Sequence, residues 1–185
     1  MMMPLWLQNI DAAVFLFFNR AVANPVFDVV MPFITEADHW KVPIALGVLA
    51  LAVFGGKKGR ITVLLMVIVV TIGDQLAASV LKPLVGRIRP CFALESARLI
   101  IKQSNSFSFP SAHATNNAAM AALIWLRYPR VKWVFVTLAM AVAYSRIYVG
   151  VHYPVDVLFG LALGTAVGVG VVRGWEGLST WRNAR

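Results

Sequence analysis

The sequence predicts an all-α fold, an integral membrane bundle of about six transmembrane helices, and three observations lead there. Of 185 residues, 59% are hydrophobic and 14% are charged, where soluble domains carry about 25% charged residues. Mean hydropathy is +0.74, and the apolar residues lie in long runs separated by short basic loops, a pattern that needs lipid around it. Backbone groups in hydrocarbon must be satisfied within helices or a closed barrel. The short alternating segments of a barrel do not occur, so the runs are read as helices.

The first run, 11–34, is interrupted by Asn19, Arg20, Asn24, Pro25 and Asp28. It is read as one span, with an interfacial helix over 5–22 and a shorter spanning piece as the alternative. Ala21-Val22-Ala23 resembles a signal cleavage site, but no Lys or Arg precedes the run and Asp11 stands where positive charge belongs, so no cleaved signal peptide is expected. Further spans are read over 41–55, 61–81, 111–127, 132–151 and 154–174. Several are short for a hydrocarbon core of about 30 Å, so tilt and interfacial ends are expected. Residues 1–185 read as a single domain without linker, repeat or low-complexity tract. Cys91 is the only cysteine, so no intrachain disulfide can form.

Basic residues set the orientation. Lys57, Lys58 and Arg60, then Arg127, Arg130 and Lys132, then Arg173, Arg182 and Arg185 fall on one side of a six-span chain, which makes that side cytoplasmic. The net charge of +9 is therefore orientation signal plus a basic site, and no nucleic-acid partner is expected.

Three clusters at the edges of apolar runs carry chemistry: K-x-x-x-x-x-x-R-P from Lys82 to Pro90, P-S-A-H from Pro110 to His113, and S-R-x-x-x-x-x-H-x-x-x-D from Ser145 to Asp156. Lys82, Arg89 and Arg146 supply cations for phosphate oxygens, two as planar forks and one as a point charge. Any one of them alone would read as a snorkelling residue at a span end. Pro110-Ser111 reads as a helix start, with Ser111 either a cap alone or a cap that also donates to phosphate. Pro154 suits the first turn of the last helix, which sets Asp156 one turn from His152, where its carboxylate can fix the imidazole tautomer. The plainer reading makes Asp156 a helix N-terminal stabiliser. Arg87 matches no motif position and reads as a headgroup contact.

Together the clusters resemble the three signature motifs of the type 2 phosphatidic acid phosphatase superfamily, in order and at similar intervals. Ala112 departs from the pattern, where glycine is usual. The resemblance implies removal of phosphate from a membrane lipid phosphate or diphosphate without metal or other cofactor. Undecaprenyl diphosphate, phosphatidylglycerol phosphate, phosphatidic acid and lipid A phosphate are the candidates. It implies His152 as nucleophile, Asp156 as its partner, His113 as proton donor to the leaving oxygen, and Lys82, Arg89, Ser111 and Arg146 around the phosphate. The site would face the periplasmic or extracellular side of a bacterial inner membrane. The competing classes are a non-catalytic binder or transporter of anionic lipids and a phosphatase of a soluble ester.

Three further expectations concern neighbouring residues. Gly160, Gly164 and Gly168 recur every fourth residue, which suits close helix packing and turns the Asp156 face into the bundle. Asp74, ionisable within a span, is expected to partner a basic site residue. His39 is expected at the interface. Glu95, Arg98 and Lys102, spaced as on a helix with Phe92, Leu94, Leu99 and Ile101 between them, suggest a short interfacial helix, with a loop packed on the bundle as the alternative.

Overall fold

The computed structural model describes residues 4–102 and 105–184. Among these residues nine α-helices follow in order: α1 Leu5–Leu16, α2 Pro25–Thr35, α3 Ala37–Phe54, α4 Gly56–Asp74, α5 Lys82–Val85, α6 Pro90–Ala93, α7 Ala112–Arg127, α8 Lys132–Tyr148 and α9 Pro154–Asn183. Wider π-helical turns extend α1 over Phe17–Ala21 and join α4 to α5 over Gln75–Leu81.

The first run is not one straight span. Helix α1 with its π turn meets α2 at 115°, because Asn24 caps a new helix by accepting from the Phe27 amide at 2.9 Å and Pro25 opens it. The split matches the alternative reading of a helix over 5–22 followed by a shorter piece. By length and composition, α3, the stretch Gly56–Ala93 and α9 are sufficient to cross a membrane, and the bent pair makes a fourth. The expected count of about six is therefore not reached on that measure. At 16 and 17 residues, α7 and α8 extend only about 25 Å.

Helix α7 is the centre of the bundle, packed on α9, α8 and α4. Its alanines Ala114, Ala118, Ala119, Ala121 and Ala122 are buried, and the α9 glycines lie against them. A Cβ on Gly160 would meet Ser111 O and Ala114, one on Gly164 would meet Thr115 O and Ala118, and one on Gly168 would meet Ala119 O and Ala122. Small residues on both helices thus bring the two backbones together, as the spacing predicts. By contrast α3 has no buried side chain, and it exposes Leu46, Leu49 and Phe54, as a helix bathed in acyl chains would.

The basic loops gather at one end. Arg127 donates to Thr62 Oγ1 at 2.6 Å and to Lys58 O at 3.3 Å; Lys58 lies over the Tyr128 ring, and Lys132 over Trp125 beside Trp133. This aromatic and cationic rim suits a headgroup boundary.

In its described residues the segment before α7 follows the alternative reading, a loop packed on the bundle, and not an interfacial helix. Only α6 is helical there, and Gln103 and Ser104, within the stretch read as that helix, lie outside the described residues. Arg98 is fixed instead by Asn19, which accepts from Arg98 N at 2.7 Å and donates to Arg98 O at 2.9 Å and to Tyr148 O at 2.7 Å. The Arg98 guanidinium grips both Asp28 oxygens at 2.7–2.8 Å. Ile100 and Ile101 pack on Met31, Tyr148, Val149 and Val151. Tertiary partners capture the backbone groups and the apolar bulk, so the helical spacing of Glu95, Arg98 and Lys102 is not used.

Candidate active site

The site forms where the N-termini of α7 and α9 meet, opposite the basic rim. Ser111 is the N-cap of α7: its hydroxyl accepts from the Ala114 amide at 3.4 Å, and its own amide donates to Asp156 O at 3.0 Å. The close α7–α9 approach at Gly160 is thereby continued as a backbone bond between the two helix starts. Ser111 is fully buried. The methyl of Ala112 leaves the helix start intact.

Between α8 and α9 the chain turns at Gly150, whose φ of +93° favours glycine; a Cβ there would also strike Arg98 O. The turn carries His152, whose amide donates to Arg146 O at 3.2 Å. Pro154 opens α9 and Asp156 falls at its third position, where Oδ2 accepts from Tyr153 N at 2.9 Å. The helix-stabilising reading of Asp156 is therefore met, and the same oxygen lies 3.7 Å from His152 Nδ1, outside hydrogen-bond distance but on that side of the ring. On the other side, Nε2 is 3.1 Å from Arg89 Nη1. A guanidinium can only donate, so this geometry favours a bare Nε2 with the proton on Nδ1. His152 is 1% exposed. Burial, and after it the charges of Arg89, Arg146 and Lys82, hold its pKa well below the ordinary histidine value, so the ring rests neutral.

Arg89 is 3% exposed and held on three further oxygens, Ser106 O at 2.7 Å, Ser106 Oγ at 2.9 Å and Val151 O at 2.9 Å. Arg146 donates to Thr35 Oγ1 at 2.6 Å, while its buried Nε has no hydrogen-bond partner among the described residues. Arg146, Lys82 and Arg89 all lie close enough to His113 for their charges to act on its ring. A cavity of about 190 Å³ opens here, lined by Thr35, Glu36, Ile101, Lys102, His113 and Arg146. The seven residues singled out by the motifs thus converge from α5, α7, α8, α9 and two loops. Among the described residues no group of three or more His, Cys, Asp or Glu is placed to hold one metal ion.

Two residues at the site were not expected there. Arg87 does not reach toward headgroups: it donates to Asp156 Oδ1 and to Asp11 Oδ2, both at 2.6 Å. Asp11, on the only face of α1 that is buried, also accepts from Val155 N at 3.0 Å. An ionisable residue inside an apolar helix was the signal for Asp11, and Arg87 had none beyond standing two residues before Arg89. Asp74 lies close enough to Lys82 for its charge to act on that amine, as expected of a partner to a basic site residue, and Asn116 donates to it at 3.5 Å. His39 stacks on Phe33 at 4.7 Å.

Comparison with known proteins agrees with this architecture. The PAP2 superfamily profile matches residues 62–178. A lipid A 4'-phosphatase of Bacteroides thetaiotaomicron is 31% identical over 173 residues, covering 86% of this chain and 74% of its own. The undecaprenyl-diphosphatase BcrC of Bacillus subtilis is 34% identical over 149 residues, covering 78% and 73%. Among solved structures, the transmembrane PAP2-type phosphatidylglycerolphosphate phosphatase of Bacillus subtilis superposes with a TM-score of 0.76 at 28% identity, over 94% of this chain and 88% of the other.

Proposed function

The chain belongs to the PAP2 superfamily, and from that premise we propose that it removes phosphate from a lipid phosphate or diphosphate of the bacterial envelope through a phosphohistidine on His152. The observation that carries the reading is His152 itself, buried and neutral, with Asp156 behind Nδ1 and Arg89 in front of Nε2.

In the first step Nε2 bonds to phosphorus as the bond to the lipid oxygen breaks. His113 gives that oxygen a proton, and the lipid alcohol, or the lipid monophosphate from a diphosphate, departs. Asp156 faces the positive ring so formed. Arg89 releases Nε2 as the substrate enters and turns the same donor to a phosphate oxygen. Arg146, Lys82 and the α7 start with Ser111 hold the remaining oxygens, where charge is spread in the transition state. A water then attacks phosphorus, His113 takes its proton, the N–P bond breaks, and inorganic phosphate and neutral His152 return.

The basic rim faces the cytoplasm in this reading, so the site works on the periplasmic or extracellular surface. An isoprenyl diphosphate is the first substrate to test, beside lipid A, phosphatidylglycerol phosphate, phosphatidic acid and a soluble ester. Purified protein should release phosphate from at least one lipid of that panel faster than from the soluble ester, and His152→Ala should abolish turnover while an acid-labile, base-stable phosphoprotein disappears. Undiminished turnover in His152→Ala would overturn the mechanism, and a preference for the soluble ester would overturn the substrate class.

A further inference from the structure

We propose that Arg87, held between Asp11 and Asp156, is a positioning residue of the reaction, and that α1 is part of the active-site machinery through Asp11. The inference rests on the reading of His152 and Asp156 given above and extends it to residues outside the three motifs. Arg87 and Asp11 are distant in sequence from each other and from Asp156, yet their contacts run from α1 to the carboxylate that lies 3.7 Å from His152 Nδ1.

The geometry leaves little freedom. One Arg87 nitrogen takes Asp156 Oδ1 and the other takes Asp11 Oδ2, each at 2.6 Å. The guanidinium lies 3.9 Å over the Tyr153 ring, which adds a cation–π contact and fixes its plane. Asp11 is fixed in turn by the Val155 amide at 3.0 Å. The side chains of Asp11 and Asp156 are 1% and 0% exposed, and that of Arg87 15%, so this is an internal cluster. With Oδ1 on Arg87 and Oδ2 on Tyr153 N, the Asp156 carboxylate cannot rotate, and Oδ2 stays on the Nδ1 side of His152. Without Arg87, Oδ1 would lose the one cation that hydrogen-bonds it, and the carboxylate would be held by fewer partners.

The charge balance explains why there are two carboxylates. Arg87 with Asp156 alone would be neutral and would give a positive imidazole no net partner. Asp11 adds a second carboxylate, so the trio carries one negative charge in excess on the Nδ1 side of His152, across the ring from Arg89. None of the three needs to touch the substrate.

The test is a double-mutant cycle on the full-length protein in detergent, read as phosphate release from a lipid phosphate, with inhibition by inorganic phosphate as the check that the pocket is formed. Arg87→Gln should lower kcat about 100-fold, the scale of a misplacement near 1 Å, with KM within about twofold. Arg87→Lys should recover part of the loss, and Asp11→Asn should lower kcat in the same direction with the same KM. On an Asp156→Asn background, Arg87→Gln should cost almost nothing more, because both changes remove one interaction. Losses that multiply in the double variant, or a raised KM with kcat unchanged, would overturn the proposal. If Arg87→Gln fails the phosphate check, the Asp11→Asn and Asp156→Asn cycle decides by the same criterion. Undiminished turnover in His152→Ala or Asp156→Asn would instead overturn the mechanism on which the proposal rests, and so separates the two failures.

Discussion

Gly164→Ala adds one carbon to the molecule and should disable it. Gly164 lies two turns below Asp156 on α9, about 12 Å along the axis. An added Cβ falls on the Thr115 carbonyl oxygen of α7 and within 3.0 Å of the Ala118 Cβ. Neither atom belongs to a side chain that can swing aside, so the two helices must part. Overpacking of this kind costs about 1–3 kcal/mol, against roughly 1 kcal/mol that alanine gains over glycine within a helix. The larger effect is on chemistry, since α7 carries Ser111 and His113 while α9 carries Asp156. Displacement by about 1 Å can cost about 100-fold in rate. Gly170 is the internal control, on the same helix with nothing within 4 Å of an added Cβ. Turnover at saturating lipid phosphate and the thermal midpoint should both fall in Gly164→Ala and stay level or rise in Gly170→Ala. Indistinguishable behaviour of the two variants would refute the claim that backbone contact between α7 and α9 sets the site.

Asp156→Asn should lower kcat by about 10⁴, the loss seen when a triad carboxylate is neutralised elsewhere; a loss below tenfold in steady-state kinetics would contradict its role. Asn19→Ala removes a fully buried side chain bonded to Arg98 and Tyr148, so denaturation should show a loss of roughly 1–3 kcal/mol, and an unchanged midpoint would refute that bracing. For pH, a folded-state pKa below the unfolded value means that His152 stays neutral as pH falls past the ordinary range. The acid limb of kcat/KM, which reports the free enzyme, should therefore lie well below 6.5, and the stability from the neutral ring should be present above 6.5 and fall below it; an acid limb at or above 6.5 would contradict this. With Cys91 replaced by serine, cysteines at Lys58 and Arg130 should resist an impermeant reagent on intact cells and one at Leu99 should react, whereas the reverse would invert the topology.

Legibility in the sequence followed the range of the interactions. Ser111 as a cap, Pro154 at the first turn and the Gly160–Gly164–Gly168 stripe were readable because each is set by near neighbours and helical spacing. The motif residues could be singled out for the chemistry of Lys, Arg, His and Asp at apolar edges. The break after Val22 was readable only as an alternative, since Asn24 and Pro25 signal a new helix without giving its angle. The segment after α6 was readable as a packed loop only as one of two alternatives, because Asn19, distant in sequence, takes the Arg98 amide and carbonyl that a helix would have used. Arg87 and Asp11 were missed for the same reason: what matters about them is each other and Asp156, and no local pattern records that meeting. Asp74 was readable as a counter-charge to a basic site residue, Lys82, whereas its neighbour Asn116 on α7 left no mark in the spacing of charged residues.

The exposed helix α3 bears on how such a protein diversifies. A helix with no buried side chain can exchange lipid-facing residues at little cost, since surface substitutions away from special features usually change stability by only about 0.5 kcal/mol. Yet Glu36 and Ala37, at its start, line the cavity beside His113 and Arg146. Variation along α3 can therefore proceed while α7 and α9 stay locked backbone to backbone. One bundle thus holds a helix free to drift in sequence beside a pair in which a single added carbon collides with backbone.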